Sequence, residues 1–409
     1  GNIIIANTGG TLYTTTAGAD NVRIGENAGN SIAAAGGVAA GSNNVMIGKD
    51  AGTEVTIGVQ NTFIGSLAGD AVSEGNHNVA VGLNSLGANV LGSKSTAVGT
   101  GALATQNPAS AVNTYNVAVG YDAGVAVSTG TLNTLIGALA GDTLSEGNSN
   151  TAVGQNALST DTKGDLNTAI GIGALQSQNF TTTTDSYNIA VGGFAGGNLT
   201  TGTHNTLIGG LAGNNLTGEG FSGSTRTAGA DRNIAIGHAA LTSDTKGNNS
   251  VAIGREALTT QNFTTATDAY NVAVGVNAGQ AVQAGTHNTF LGGKAGTGCT
   301  TSGNNTMVGS EAGPVILGAN NTGVGKGCLT LLTGDNNTAI GASSGIAITS
   351  GNENVMIGVN SGRAGHPGGA VSTANGQMCL GGNDITHAFV KVDIATTSDQ
   401  RDKTDFEAL

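Results

Sequence analysis

The chain has 409 residues, of which 71 are Gly and only 10% are charged. Globular domains carry about 25% charged residues and about 7% Gly, so this is not the composition of an average enzyme. Collagen is excluded because Gly does not recur at every third residue and only 3 residues are Pro. Disorder is disfavoured as well, since 38% of the residues are hydrophobic.

The net charge is −12, from 14 basic and 26 acidic residues. This balance leaves no basic stripe for phosphates, so we expect no nucleic-acid partner. No apolar stretch approaches the ~20 residues of a membrane-spanning helix, and no secretory signal pattern opens the chain. The first residue is Gly1 and not Met, as in a fragment. The three Cys residues match no metal or redox spacing, and we interpret them as small buried residues.

Residues 1–20 are interpreted as an N-terminal lead-in, followed by a repeat domain over 21–383. The repeat unit is Asn-[Thr/Val]-x-[Ile/Val]-Gly, as in NVMIG (44–48) and NTLIG (133–137). A second half-unit, Gly-x-x-Ala-[Gly/Leu], follows almost every closing glycine. The twenty closing glycines are Gly25, Gly48, Gly65, Gly82, Gly99, Gly120, Gly137, Gly154, Gly171, Gly192, Gly209, Gly237, Gly254, Gly275, Gly292, Gly309, Gly325, Gly341, Gly358 and Gly381.

Eleven of the nineteen intervals between these glycines are 17 residues long. That period is too short for helical-hairpin repeats of ~34 residues. A run of four residues that ends in a β-branched residue and Gly is typical of a short strand before a turn. The sequence therefore predicts an all-β fold, a parallel β-solenoid of about twenty coils. At ~4.8 Å per strand the rod would be about 95 Å long.

Both faces of the predicted strand are apolar. Counting back from the closing Gly, positions −1 and −3 hold Ile, Val, Leu or Thr, and we interpret this face as the core. Position −2, on the opposite face, is also apolar, with Arg23 as the charged exception. Strands that are apolar on both faces are covered on both. We therefore expect a second copy to cover the −2 face in a homotrimer, intertwined or side by side.

Position −4 is Asn in seventeen of the twenty coils. Stacked Asn side chains can form a hydrogen-bonded ladder along a rod. Asn also suits a tight corner, and both interpretations remain open.

Three insertions of related sequence follow the fifth, ninth and thirteenth coils, at 104–116, 176–188 and 259–271. They concentrate aromatic residues in a chain that has few, and a longer insertion spans 214–232. Loops on a rigid scaffold commonly carry recognition, although these could instead fill gaps in the trimer groove. The candidate receptor-contact residues are Tyr115, Phe180, Tyr187, Phe221, Phe263 and Tyr270.

No motif elsewhere indicates an enzyme. The Gly-x-Ser-x-Gly, phosphate-loop and His-Glu-x-x-His patterns are absent, and we expect no cofactor. His77, His204 and His287 each precede the Asn of their unit. Imidazoles at this position could ligate an ion on a trimer axis, but a solvent-exposed corner explains them more simply. We assign no metal.

The repeats resemble the head repeats of trimeric autotransporter adhesins, whose coils carry a similar N-[ST]-x-A-[IV]-G signature, over residues 21–381. That resemblance implies a left-handed β-roll with three chains around one axis. Similar NTAVG-type arrays, as at 150–154, occur in phage tail fibres. The present coil is longer than the family's ~14–16 residues, so the likeness concerns architecture.

The C-terminal residues separate these two families. After a connector at 384–397, the segment 398–409 is similar to the start of the intramolecular chaperone domain of endosialidase-type phage tail spikes, with its S-D-x-R-x-K signature. The resemblance implies self-cleavage between Ser398 and Asp399 during maturation, with Ser398 as nucleophile and Lys403 as its base. A plain polar segment without chemistry is the alternative.

Taken together, the resemblances imply a structural component of a bacteriophage tail fibre in the virion tail. Its expected partners are other tail or baseplate proteins and a host receptor, either a polysaccharide or an outer-membrane protein. The alternative is the head of a bacterial trimeric adhesin on the cell surface. A non-viral extracellular filament and an ice-binding solenoid are further alternatives, the last without a flat Thr-x-Thr array.

Overall fold

Short parallel strands stacked along one axis build the molecule. The computed structural model describes residues 3–5, 18–32, 40–218, 221–222, 225–226, 229–363, 370–382 and 385. Twenty-one strands of three residues form one sheet. Each pairs in parallel with the strand of the next coil, as Val45 lies opposite Thr62 and Thr62 opposite Val79. The described residues contain no helix, and hence none that could cross a membrane.

The strands of the main sheet are Ile3–Ile5, Val22–Ile24, Val45–Ile47, Thr62–Ile64, Val79–Val81, Thr96–Val98, Val117–Val119, Thr134–Ile136, Thr151–Val153, Thr168–Ile170, Ile189–Val191, Thr206–Ile208, Ile234–Ile236, Val251–Ile253, Val272–Val274, Thr289–Leu291, Thr306–Val308, Thr322–Val324, Thr338–Ile340, Val355–Ile357 and Met378–Leu380. Twenty of them are the predicted repeat units, so the parallel β-solenoid is confirmed. The remaining strand, Ile3–Ile5, lies within the segment interpreted as a lead-in and pairs with Val22–Ile24.

Four further pairs of two-residue strands lie outside the main sheet. Three of these pairs are parallel, and the one in the longest insertion is an antiparallel hairpin, Phe221–Ser222 with Thr225–Arg226. The other short strands are Gly164–Asp165, Thr184–Asp185, Gly247–Asn248, Thr267–Asp268, Val315–Ile316 and Leu331–Leu332.

The assignment of the two strand faces was wrong. The −2 residues fill the interior of the single chain, where Leu135 is 0% exposed, whereas its neighbour Ile136 at −1 is 38% exposed. Ten of the twenty −2 residues are Ala, and they share the interior with the Ala of the second half-unit. The β-branched residues of −1 and −3 lie on the other side of each strand and point outward. A sister chain is not needed to cover the −2 face.

Large and small residues alternate in the interior to keep its volume constant. Phe63 at −2 packs over Gly69, where a Cβ would lie 2.7 Å from the Phe63 ring. Where −2 is Ala, as at Ala80, the residue equivalent to Gly69 is often a buried leucine such as Leu86. This exchange keeps the core close-packed along the rod.

The asparagine ladder is confirmed. Asn61 Oδ1 accepts the backbone N–H of Asn78 at 2.9 Å, and Asn61 Nδ2 donates to the Gly75 carbonyl at 2.9 Å. The same pair of bonds recurs from coil to coil, with the Asn side chains buried inside the chain. The ladder satisfies backbone groups at the corners that would otherwise be buried without a partner. The three cysteines are free and buried, as expected.

Candidate functional site

The structure separates the predicted receptor-contact residues into two groups. Tyr115, Tyr187 and Tyr270 are 47%, 47% and 49% exposed. Phe180 and Phe263 are 0% and 6% exposed, so their assignment as receptor contacts was wrong. Both Phe side chains are buried within their insertions, and the backbone of Phe221 lies in the short hairpin.

The three tyrosines share one position, five residues before a closing glycine. Each adopts a left-handed backbone conformation, with φ of 51° at Tyr115 and 49° at Tyr187 and Tyr270. Nearly every coil repeats this conformation at the same corner, so it is a property of the architecture and not a mark of a site. The corner directs its side chain away from the core. The equivalent residues of successive coils therefore form a column along the rod.

Within this column each tyrosine meets a neighbour from the adjacent coil. The rings of Tyr187 and His204 lie 5.3 Å apart, and those of Tyr270 and His287 lie 5.2 Å apart. Lys94 Nζ lies 5.2 Å from the centre of the Tyr115 ring and donates to its hydroxyl at 3.2 Å. We call these three groups the tyrosine column.

The histidines considered as axial metal ligands are exposed corner residues of this chain. His77, His204 and His287 all have φ near 60°. In the part of the chain that the structure describes, no three His, Cys, Asp or Glu side chains are grouped to hold a metal ion. The maturation residues Ser398 and Lys403 lie outside the described residues, and their role stays a prediction.

Beneath each insertion lies a buried polar pair that the sequence analysis missed. Asp161 and Gln178, both 0% exposed, occupy core positions where other coils carry Val or Leu. Gln178 Nε2 donates to Asp161 Oδ2 at 2.7 Å, and Gln178 Oε1 accepts from Asn188 Nδ2 at 2.9 Å. The Phe180 backbone N–H also donates to Asp161, at 3.0 Å. The pair therefore joins the insertion to the asparagine ladder.

The same pair recurs in the other two insertions. Asp244 and Gln261 repeat it, with 2.6 Å between Oδ2 and Nε2. In the first insertion Asn89 replaces the aspartate, and Gln106 Nε2 lies 3.4 Å from its Oδ1. The sequence signal was present, since a polar residue precedes each Gln-Asn-[Phe/Pro] by 17 residues.

Replacing both buried aspartates by asparagine should remove a pH-dependent loss of stability. Burial raises the pKa of Asp161 and Asp244 above the ordinary value of 3.8, although donated hydrogen bonds oppose the shift. The fold thus favours the protonated forms, and that contribution is complete below pH 3.8 and lost as pH rises through the raised pKa. Asn89 occupies the equivalent position in the first insertion, where Pro108 supplies no N–H in place of that of Phe180. We expect the free energy of unfolding of Asp161→Asn/Asp244→Asn, relative to that of the parent, to be higher at pH 7 than at pH 3 by about 1 kcal/mol per site.

Thermal unfolding followed by circular dichroism between pH 3 and pH 8 measures this difference. The stability of the variant relative to that of the parent should fall as the pH falls. Asp185→Asn is the control. It removes an exposed carboxylate of the same insertion and so measures the general effect of reducing the net negative charge. A difference that stays constant from pH 3 to pH 8 would contradict the expected linkage.

The outward face of the main sheet is the second functional candidate. Its −1 row is Ile, Val or Leu in all twenty repeat strands, and its −3 row is mostly Thr, Val or Ile. Leu291, Ile340 and Ile357 in the −1 row are 46%, 42% and 40% exposed. We call this surface the apolar face. It runs along the stack on one side of the molecule.

Comparison with protein families finds no match for this chain. Comparison with curated proteins finds none either.

Proposed function

We propose that the chain is a shaft segment of a bacteriophage tail fibre, a structural homotrimer that supports attachment to the host cell. The apolar face is the observation that carries the proposal. Isolated exposed apolar residues are ordinary on proteins, but a continuous row along a rod is not. Such a surface favours association with further copies of the same chain.

The footprint of the apolar face approaches the size of a stable interface. Twenty strands at ~4.8 Å and two outward residues of ~3.3 Å rise give a footprint of roughly 600 Å². The largest apolar patch of a monomeric protein is about 300–600 Å², and a stable interface buries about 800 Å² on each partner. Residue +1 after the closing glycine is also apolar and at least half exposed in several coils, as at Leu83, Ile172 and Val359.

Three copies around one axis would cover the apolar faces in a closed assembly. Identical chains that associate by rotation form closed rings, and closure prevents further growth. The rod resists bending because backbone hydrogen bonds join each coil to both of its neighbours. A stiff rod of about 95 Å would hold a receptor-binding region away from the virion. Tail or baseplate proteins and a host surface receptor would be its partners.

The head of a bacterial trimeric adhesin is the second candidate. The exposed tyrosine column supports it, because an adhesin head binds through its own sides. Sequencing the coding region on both sides separates the two candidates. A baseplate-joining segment and a complete chaperone domain identify the phage fibre, whereas an outer-membrane anchor identifies the adhesin.

The apolar face should control the oligomeric state. We expect the chain to sediment at three times its 39.6 kDa mass. Ile136→Lys/Ile170→Lys should shift the population toward monomer, because each lysine would place an unpaired charge in an apolar interface. Sedimentation equilibrium measures the masses. Circular dichroism shows whether the variant retains its β structure.

Leu132→Lys provides the matched control. Leu132 is 55% exposed but occupies the same corner position as the three tyrosines, five residues before a closing glycine. It therefore lies outside the −1 and −3 rows. It should retain the trimer. A parent chain that sediments as a stable monomer would overturn the proposed assembly.

A further inference from the structure

The tyrosine column repeats at a regular height. Tyr115, Tyr187 and Tyr270 immediately precede the coils of strands Val117–Val119, Ile189–Val191 and Val272–Val274, and neighbouring members of this set are four strands apart. Four strands at ~4.8 Å correspond to about 19 Å. Three of the five Tyr residues in the sequence therefore present their rings at equal intervals along one edge of the rod.

Polar groups that can bind hydroxyls surround these rings. Tyr270 Oη lies 3.5 Å from Asp268 Oδ2, and Asn249 Nδ2 donates to Asp268 Oδ1 at 2.9 Å. Asp185 holds the same place before Tyr187, as the second residue of an equivalent short strand. His204 and His287 supply imidazoles beside the rings. The sites at Tyr187 and Tyr270 thus combine an apolar ring face with donors and acceptors at its edge, and at Tyr115 the polar neighbour is Lys94.

We propose that the tyrosine column binds a linear, neutral polysaccharide. A pyranose ring has an apolar face of C–H groups and a rim of hydroxyls, which matches an exposed tyrosine beside a carboxylate, an amide or an imidazole. Tyr is suited to such contacts because it offers a large amphipathic surface at a small entropy cost. The proposal deepens the attachment role and rests on it for its biological setting.

The repetition favours a polymer over a globular partner. Three exposed tyrosines at intervals of about 19 Å match a ligand that repeats along its own length. A polyanionic polymer fits poorly, because the chain carries a net charge of −12 and Asp185 and Asp268 lie in two of the three sites. One ring contributes little affinity, but several sites engaged by one chain raise the effective concentration of the next contact.

Binding to immobilised neutral polysaccharides tests the proposal. The panel contains dextran, mannan, galactan and neutral bacterial O-polysaccharides, and biolayer interferometry measures binding of the full chain. We expect the parent to bind at least one of them. Tyr187→Ala and Tyr270→Ala should each weaken that binding about two- to tenfold, and the double variant should lose more than either single variant.

Leu132→Ala is the matched control. Leu132 occupies the same corner position, with φ of 62°, in the coil that follows that of Tyr115. It should bind like the parent. His204→Ala, which removes one imidazole but no tyrosine, should weaken binding less than Tyr187→Ala. Absence of binding across the panel, or tyrosine variants that bind like the parent, overturns the proposal. Sedimentation of the same samples tests the trimeric shaft separately. A failure of polysaccharide binding can therefore be distinguished from a failure of the proposed trimer.

Discussion

Gly292→Ala is expected to destabilise the solenoid by about 3–5 kcal/mol. Gly292 closes the strand Thr289–Leu291 with φ of 137°, a conformation that L side chains rarely adopt. A Cβ at this position would also lie 2.6 Å from the carbonyl oxygen of Gly309 in the next coil. The two coils would have to separate locally, which breaks the backbone hydrogen bonds between their strands on both sides of the glycine. Thermal unfolding and amide hydrogen exchange around residues 289–309 measure the loss.

The adjacent residue provides a strict control. Gly293 has no atom within 4 Å of an added Cβ, and its φ is not positive. Gly293→Ala should be neutral or slightly stabilising, because alanine restricts the unfolded chain without strain in the fold. Equal effects of the two substitutions would show that close approach of the coils does not explain the closing glycine.

Asn150→Ala is expected to cost about 2–4 kcal/mol. Asn150 Nδ2 donates to the Gly164 carbonyl at 2.8 Å, and Asn150 Oδ1 accepts the backbone N–H of Asn167 at 3.0 Å. Alanine leaves both backbone groups buried without these partners, and water cannot replace them in a closed interior. Hydrogen exchange should show the largest loss of protection at Asn167 and its neighbours. Thermal unfolding measures the overall effect.

Asn198→Ala separates the ladder from the general effect of removing an amide. Asn198 is exposed, and its side chain donates to Asn215 Oδ1 at 3.1 Å. This control should change stability by less than about 0.5 kcal/mol. If Asn150→Ala were equally mild, the ladder would be a consequence of the fold and not one of its supports.

Much of the fold could be predicted because the repeat is explicit. Each closing glycine marks a coil, and the β-branched residues before it indicate a strand. Among the described strands of the main sheet only Ile3–Ile5 escaped detection, because Ala6 stands where the other units have Gly. The asparagine ladder could also be proposed, since the same residue type recurs at one position of the period. These features are local, or repeat at a fixed spacing, and a single sequence displays both kinds.

The candidate site was only partly predictable. The sequence located the insertions and their aromatic residues, but it could not separate Tyr187 from Phe180. Their exposure differs because Phe180 is buried, with its backbone N–H bonded to Asp161, whereas Tyr187 lies on a left-handed corner that points outward. The buried Asp161–Gln178 pair went unnoticed, because a charged residue at a core position is recognisable only when its hydrogen-bond partners are placed around it.

The amino-acid sequence by itself determined the period of the coil, the position of the strands and the coils that accept insertions. The tertiary structure alone decided which side of each strand is inside. Hydrophobicity could not answer that question, since Leu135 and Ile136 are both apolar. Only the packing of the coils decides it, because the interior is close-packed when each −2 side chain is matched to the residue four places after its closing glycine, as Phe63 is to Gly69 and Ala80 to Leu86.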